Sequence, residues 1–174
     1  MSKSLSFLFL LGPAVSINAF AEVYLSTEQA AKIFFPEKVL KKTEIVLTAK
    51  EAEKIKLLSG NEVKSRSFSV LASRDGSVVF TDQVIGKHEL ITYAVGIDAS
   101  GSVKGVEILE YRESYGGQIK RAAWREQFTG KNKSSELRAD KDIKTLSGAT
   151  LSSTHVTDGV RRLIHTYEQI KNRL

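Results

Sequence analysis

The run Ser147-Gly148-Ala149-Thr150-Leu151-Ser152-Ser153 sets the hydroxyls of Ser147, Thr150, Ser152 and Ser153 around a Gly-Ala pair, just before an amphipathic stretch of helical period. Those residue types at that spacing suit a phosphate. The first turn of a helix leaves backbone N–H groups without intrahelical partners, and the helix dipole gives them partial positive charge. An anion is stabilised there. Gly148 and Ala149 keep bulky side chains away, so a phosphate can approach the backbone closely. The hydroxyls offer hydrogen bonds or a point of covalent attachment. Taken alone, Thr150 also reads as an ordinary helix-capping hydroxyl.

The elements around this run can be read from period and punctuation. From Ser152 or Ser153 onward, Val156, Val160, Leu163, Ile164 and Tyr167 recur at helical spacing. Upstream, residues 68–71, 78–80, 90–97 and 103–109 are rich in β-branched and aromatic side chains. Turn-forming clusters at 74–76, 85–87 and 98–101 separate them, which predicts an antiparallel meander with the last pair as its clearest hairpin. Residues 118–128 read as helix, with Ile119, Ala122, Ala123 and Phe128 offered to a core, and 132–142 reads as a polar loop. Nearer the N-terminus, Ser26 or Thr27 caps a helix that Pro36 stops, with Ala30, Ile33 and Phe34 on one face. A short strand at 44–46 and a helix over 48–58, with Gly60 beyond its end, follow. The expectation is an α+β domain, an antiparallel sheet flanked by N-terminal and C-terminal helices.

At 174 residues the chain is long enough for one ordinary domain, and its 41% hydrophobic and 26% charged residues suit a folded core with a normal polar surface. Lys3, the apolar run 5–11 and the small residues Ala19 and Ala21 read as a signal peptide cleaved after Ala21. The alternative is an uncleaved anchor facing the same compartment, against which Gly12-Pro13 interrupts an apolar run shorter than the roughly 20 residues a spanning helix needs. The expected organisation is a signal peptide at 1–21, an N-terminal helical segment at 22–65 and the main domain at 66–174. Export without any Cys points to a bacterial periplasm. Removing Lys3 with the leader lowers the formal charge from +6 to +5. The basic residues are scattered and lack interleaved aromatics, so no nucleic-acid partner is expected. His88, His155 and His165 form no metal-ligand constellation, and no nucleophile elbow is present.

Two blocks carry a family resemblance. Ser147-Gly148-Ala149-Thr150-Leu151-Ser152 resembles the cofactor-attachment motif of the FMN-binding domain family, and residues 113–119, with Trp124 and 127–131, resemble that family's glycine-containing region and its Gln-Phe-x-Gly-Lys continuation. The blocks stand in the family's order, and the likeness runs from about Phe68 to the C-terminus. In the family a flavin transferase uses FAD to link FMN through its phosphate to the last Thr of the motif, here Thr150. The resemblance therefore implies FMN held as a phosphoester of Thr150, with Ser147, Gly148, Ala149, Ser152 and Ser153 around the phosphate. It also implies Gly116 and Gly117 beside the ring or ribityl chain, Glu113 as an acceptor for a ribityl hydroxyl or ring N–H, and Trp124 as a ring contact set against a core role. Leu146 and Leu151 bracket the motif and can cover the ring. Lys144, where the family usually has an acid, stands as a nearby cation.

The function this implies is an exported flavoprotein that carries electrons, more a carrier than a complete enzyme. Its expected partners are the flavin transferase, a membrane-bound electron donor and a periplasmic redox acceptor. The alternative is a noncovalent flavin-binding or sensory module without redox turnover. No nucleotide-binding fingerprint supports a flavin reductase.

Overall fold

A computed structural model describes residues 22–174. The proposed leader and its cleavage site lie outside the described residues. The elements are β1 (Glu22–Val23), α1 (Thr27–Phe34), β2 (Lys41–Val46), α2 (Ala49–Ser59), β3 (Ser67–Ala72), β4 (Val78–Ile85), β5 (Leu90–Ile97), β6 (Val103–Tyr111), α3 (Ala122–Arg125) and α4 (Thr150–Ile170). The strands form one antiparallel sheet in the order β1-β6-β5-β4-β3-β2, so consecutive strands from β2 to β6 are neighbours and the two-residue β1 pairs at the far edge. This is the α+β arrangement read from the sequence, with a meander at its centre. Among the described residues, no helix is long and apolar enough to cross a membrane.

Each face of the sheet has its own core. On one face, α4 sets Val156, Val160, Leu163, Ile164 and Tyr167 against Val84, Ile91, Tyr93 and Val95, and α2 adds Ile55. On the other, α1 brings Ala30, Ala31, Phe34 and Phe35 onto Val79, Ala94 and Leu109. Gly96 of β5 pairs with Gly105 of β6, and a Cβ on either would lie within 3 Å of the Phe34 ring. The paired glycines thus make the hollow that seats α1. Ser26 caps α1 through a capping box with Gln29, and Thr48 caps α2 in the same way with Glu51.

Several local expectations are corrected. Ile33 is 55% exposed and its place in the core is taken by Ala31 and Phe35. The short strand expected at 44–46 begins at Lys41. β4 runs on to Ile85 through the polar Thr81-Asp82-Gln83, because its partner β5 continues the ladder to Leu90. The helix expected over 118–128 is broken into a 3-10 turn at Gly117–Lys120, the single turn α3 and a 3-10 turn at Glu126–Phe128. Ala122 and Ala123 face solvent, while Ile119, Trp124 and Phe128 enter the core. Helix α4 starts at Thr150, earlier than the apolar period alone suggests, so the hydroxyl motif itself forms its first turn.

Candidate functional site

The N-terminus of α4 differs chemically from those of α1 and α2. Its N-cap position is Ala149, which has no side chain able to cap, and no side-chain hydrogen bond closes this end. The leading N–H groups of a 21-residue helix are therefore left for another acceptor. Thr150 is exposed, and its hydroxyl makes one long contact, 3.4 Å to the Leu146 carbonyl. Ser147 and Gly148 are exposed beside it, and Leu151 is half-exposed.

The remaining motif hydroxyls are turned inward. Ser153 is fully buried and donates to the carbonyls of Ala149 (2.8 Å) and Thr150 (3.0 Å), which ties the first turn to itself. Ser152 is buried and lies 3.4 Å from the Tyr111 hydroxyl.

The upstream block meets the motif directly. Gly116 has φ +88° and Gly148 has φ +80°, a region that favours glycine. A Cβ on Gly116 would stand 2.5 Å from the Tyr111 hydroxyl, 3.3 Å from the Gly148 carbonyl oxygen and 3.3 Å from the Ala149 Cβ. Glycine at 116 is what lets the two backbones touch. Tyr111 donates to the Tyr115 carbonyl at 2.6 Å, fixing the loop between them, and burial raises the pKa of its hydroxyl.

A cleft of about 550 Å³ opens where these parts converge. Gly148, Ala149, Thr150, Leu151 and Ser152 form one wall, the β4–β5 turn Lys87-His88-Glu89 another, and 112–115 a third. A second hollow of about 470 Å³ adjoins it across Ser114 and Tyr115 and is lined by Gly116, Gly117, Gln118, Lys120 and Arg121. Glu113 closes the turn wall. Its Oε1 accepts the backbone N–H groups of Lys87, His88 (2.6 Å) and Glu89 (3.1 Å). Burial raises the Glu113 carboxyl's pKa, but the N–H donors lower it by more, so the net shift is downward. On the helix side, His155 Nδ1 lies 2.6 Å from the Ile85 carbonyl, joining α4 to the same turn.

Trp124 lies in the core, edge-on to Phe128, and does not line the cleft. Its indole N–H donates to the Lys144 carbonyl at 2.9 Å, and the Gln127 side chain accepts the Lys144 N–H at 2.8 Å. Lys131 pairs with Asp142 at 3.2 Å. Trp124 and Gln127 thus grip the Lys144 backbone leading into the motif, Lys131 holds the Asp142 side chain just before it, and the Lys144 side chain itself is exposed.

Sequence reasoning missed the turn 87–89, Arg112, Ser114, Tyr115 and Gln118 as cleft residues. Gln118 follows the Gly116-Gly117 pair directly, which was a usable signal. Its Oε1 is buried and has no hydrogen-bond partner. The turn 87–89 gave none, because its lining role comes from tertiary contact with Glu113.

Residues 86–165 match the family model for the FMN-binding domain. The matched segment spans the β4–β5 turn, Glu113, both glycine-containing loops and most of α4. A curated relative is a subunit of the Na(+)-translocating ferredoxin:NAD(+) oxidoreductase complex of Acetobacterium woodii, 29% identical over 136 residues. The likeness covers 70% of this chain and 66% of that protein, just under two thirds of the relative's own length.

Proposed function

We propose that this chain is an exported electron-carrying flavoprotein whose FMN is joined through its phosphate to Thr150. The observation that carries the reading is the exposed Thr150 hydroxyl on the first turn of the side-chain-uncapped α4, at the wall of a 550 Å³ cleft. The match to the FMN-binding domain and the relation to a component of an oxidoreductase complex support it from outside the geometry.

The residues present fit the cofactor. The leading N–H groups of α4 and the helix dipole favour a phosphate at Thr150. The close approach of the loops at Gly116 and Gly148 sets backbone beside that end of the helix, and Gly116 continues into the lining of the second hollow. Gln118 Oε1 is an orphaned buried acceptor beside it, and such atoms are rare unless a ligand or water serves them. It suits a ribityl hydroxyl or a ring N–H. The Lys87 cation on the cleft wall favours an anionic group, whereas Arg112 is paired with Glu110 at 2.8 Å.

For loading, Thr150 Oγ1 forms the new bond to the riboflavin-bearing phosphorus of FAD. The P–O–P bond breaks, AMP leaves, and the hydroxyl proton is released. The product is a phosphodiester with about one negative charge, which α4 can hold without a metal-like counterion. When bound, FMN accepts one or two electrons; the chain's own part is to place it, shield it and set its surroundings. A tether keeps the cofactor on a protein outside the cytoplasm, where a dissociated one would be diluted away. The leader-like residues 1–21 support a periplasmic location, with a membrane-bound donor and a periplasmic acceptor as partners.

The test is coexpression with an exported flavin transferase, then denaturing electrophoresis under ultraviolet light. Fluorescence that stays with the denatured band supports covalent FMN, and its loss in Thr150→Ala assigns the site. A dark wild-type band from a cell able to load other flavoproteins would reject the covalent reading.

A further inference from the structure

Tyr115 is 87% exposed, although its position is tightly fixed. Its carbonyl receives the Tyr111 hydroxyl at 2.6 Å, and Gly116 next to it is locked at φ +88° against Gly148 and Ala149. The backbone is thus pinned while the ring projects from the ridge shared by the two hollows. Leu151, which lines the same cleft, is 48% exposed on the first turn of α4. Of the other exposed apolar residues, Ile85 and Leu90 flank the turn 87–89, but neither they nor Leu57 and Val39 line the cleft. An exposed aromatic and an exposed aliphatic side chain thus line one cleft and offer apolar surface to a flat ring.

We infer that Tyr115 stacks on one face of the isoalloxazine while Leu151 covers the other, so that the ring is clamped at the cleft mouth. This rests on the FMN reading above. Stacking suits both partners: aromatic faces prefer offset-parallel contact, and each gains by leaving water. The phenol carries a further signature. A stacked phenol passes an electron to the photoexcited ring and takes it back in the dark, so emission is lost with no net redox change.

The test uses the FMN-loaded full chain and its Tyr115→Ala, Tyr115→Phe and Tyr115→Trp variants. Flavin content is read from visible absorbance, ring environment from fluorescence lifetime, and ring access from quenching by iodide. The expected result is a quenched wild type, a several-fold longer lifetime and freer iodide access in Tyr115→Ala, and restored quenching in Tyr115→Trp. Tyr115→Phe should lengthen the lifetime while still excluding iodide, which separates stacking from the phenol's electron donation. Because the side chain is exposed, its removal takes nothing from the core. A Tyr115→Ala protein with full flavin content and an unchanged lifetime would overturn the clamp and leave the FMN reading standing. Failure of the wild type to take up FMN would overturn both.

Discussion

Glu113 Oε1 accepts the His88 backbone N–H at 2.6 Å, so a carboxylate just past the end of β6 closes the β4–β5 turn at the wall of the cleft. Gly86 makes this possible, since a Cβ there would stand 2.5 Å from the same oxygen. The arrangement gives Glu113 a scaffolding part in the site, distinct from direct contact with a ligand.

That relationship has a pH consequence. The Glu113 pKa in the folded chain lies below its ordinary value of 4.5. The stability it contributes is therefore present above that value and is lost as pH falls through the lower, folded one. Glu113→Gln should remove about 1 kcal/mol near neutral pH, a figure kept small because the carboxylate is partly solvated. Urea unfolding at a series of acid pH values checks this: the variant's stability should fall less steeply with acid than the wild type's. Parallel pH curves would contradict it.

Gly159 lies inside α4 where Ala would ordinarily be favoured by about 1 kcal/mol. Here the Tyr93 hydroxyl occupies the space of the missing Cβ, and it donates to Asp82 at 2.8 Å while Arg162 pairs with the same carboxylate. Gly159→Ala should destabilise the chain by about 2–3 kcal/mol through overpacking. Adding Tyr93→Phe should recover part of that loss, giving a coupled double-mutant cycle. Additive effects in chemical denaturation would show that the two positions do not collide.

Gly116 joins the two glycine-containing blocks. Gly116→Ala meets both the φ +88° penalty and the Tyr111 hydroxyl, so the loop should be displaced at a cost of about 1–3 kcal/mol. FMN loading per folded chain should fall with it. Thermal unfolding together with the flavin-to-protein absorbance ratio reads both effects, and a normally loaded, normally stable variant would show that the contact between the blocks is dispensable.

Much of the scaffold was legible because its signals are local. The meander followed from β-branched runs cut by turn clusters, α1 followed from Ser26 as a cap and Pro36 as a stop, and α2 from the stretch 48–58 with Gly60 beyond its end. The full length of β4 was hidden because Thr81, Asp82 and Gln83 break the apolar pattern, yet pairing with β5 carries the strand through them. Ala122 and Ala123 favour helix but pack nowhere, whereas Trp124 is drawn into the core and its N–H is used on Lys144. At the site, the Gly148-Ala149-Thr150 turn could be read from composition. The Glu113 contact with the turn 87–89 could not, since it joins segments about 25 residues apart through backbone N–H groups that carry no sequence signature.

The most direct measurement of the central claim is the intact mass of the chain purified from cells that supply FAD and an exported flavin transferase. The expected result is an addition of about 438 Da, FMN less water, on the peptide containing Thr150, absent from Thr150→Ala. An unmodified wild-type mass, or the same addition persisting in Thr150→Ala, would contradict it.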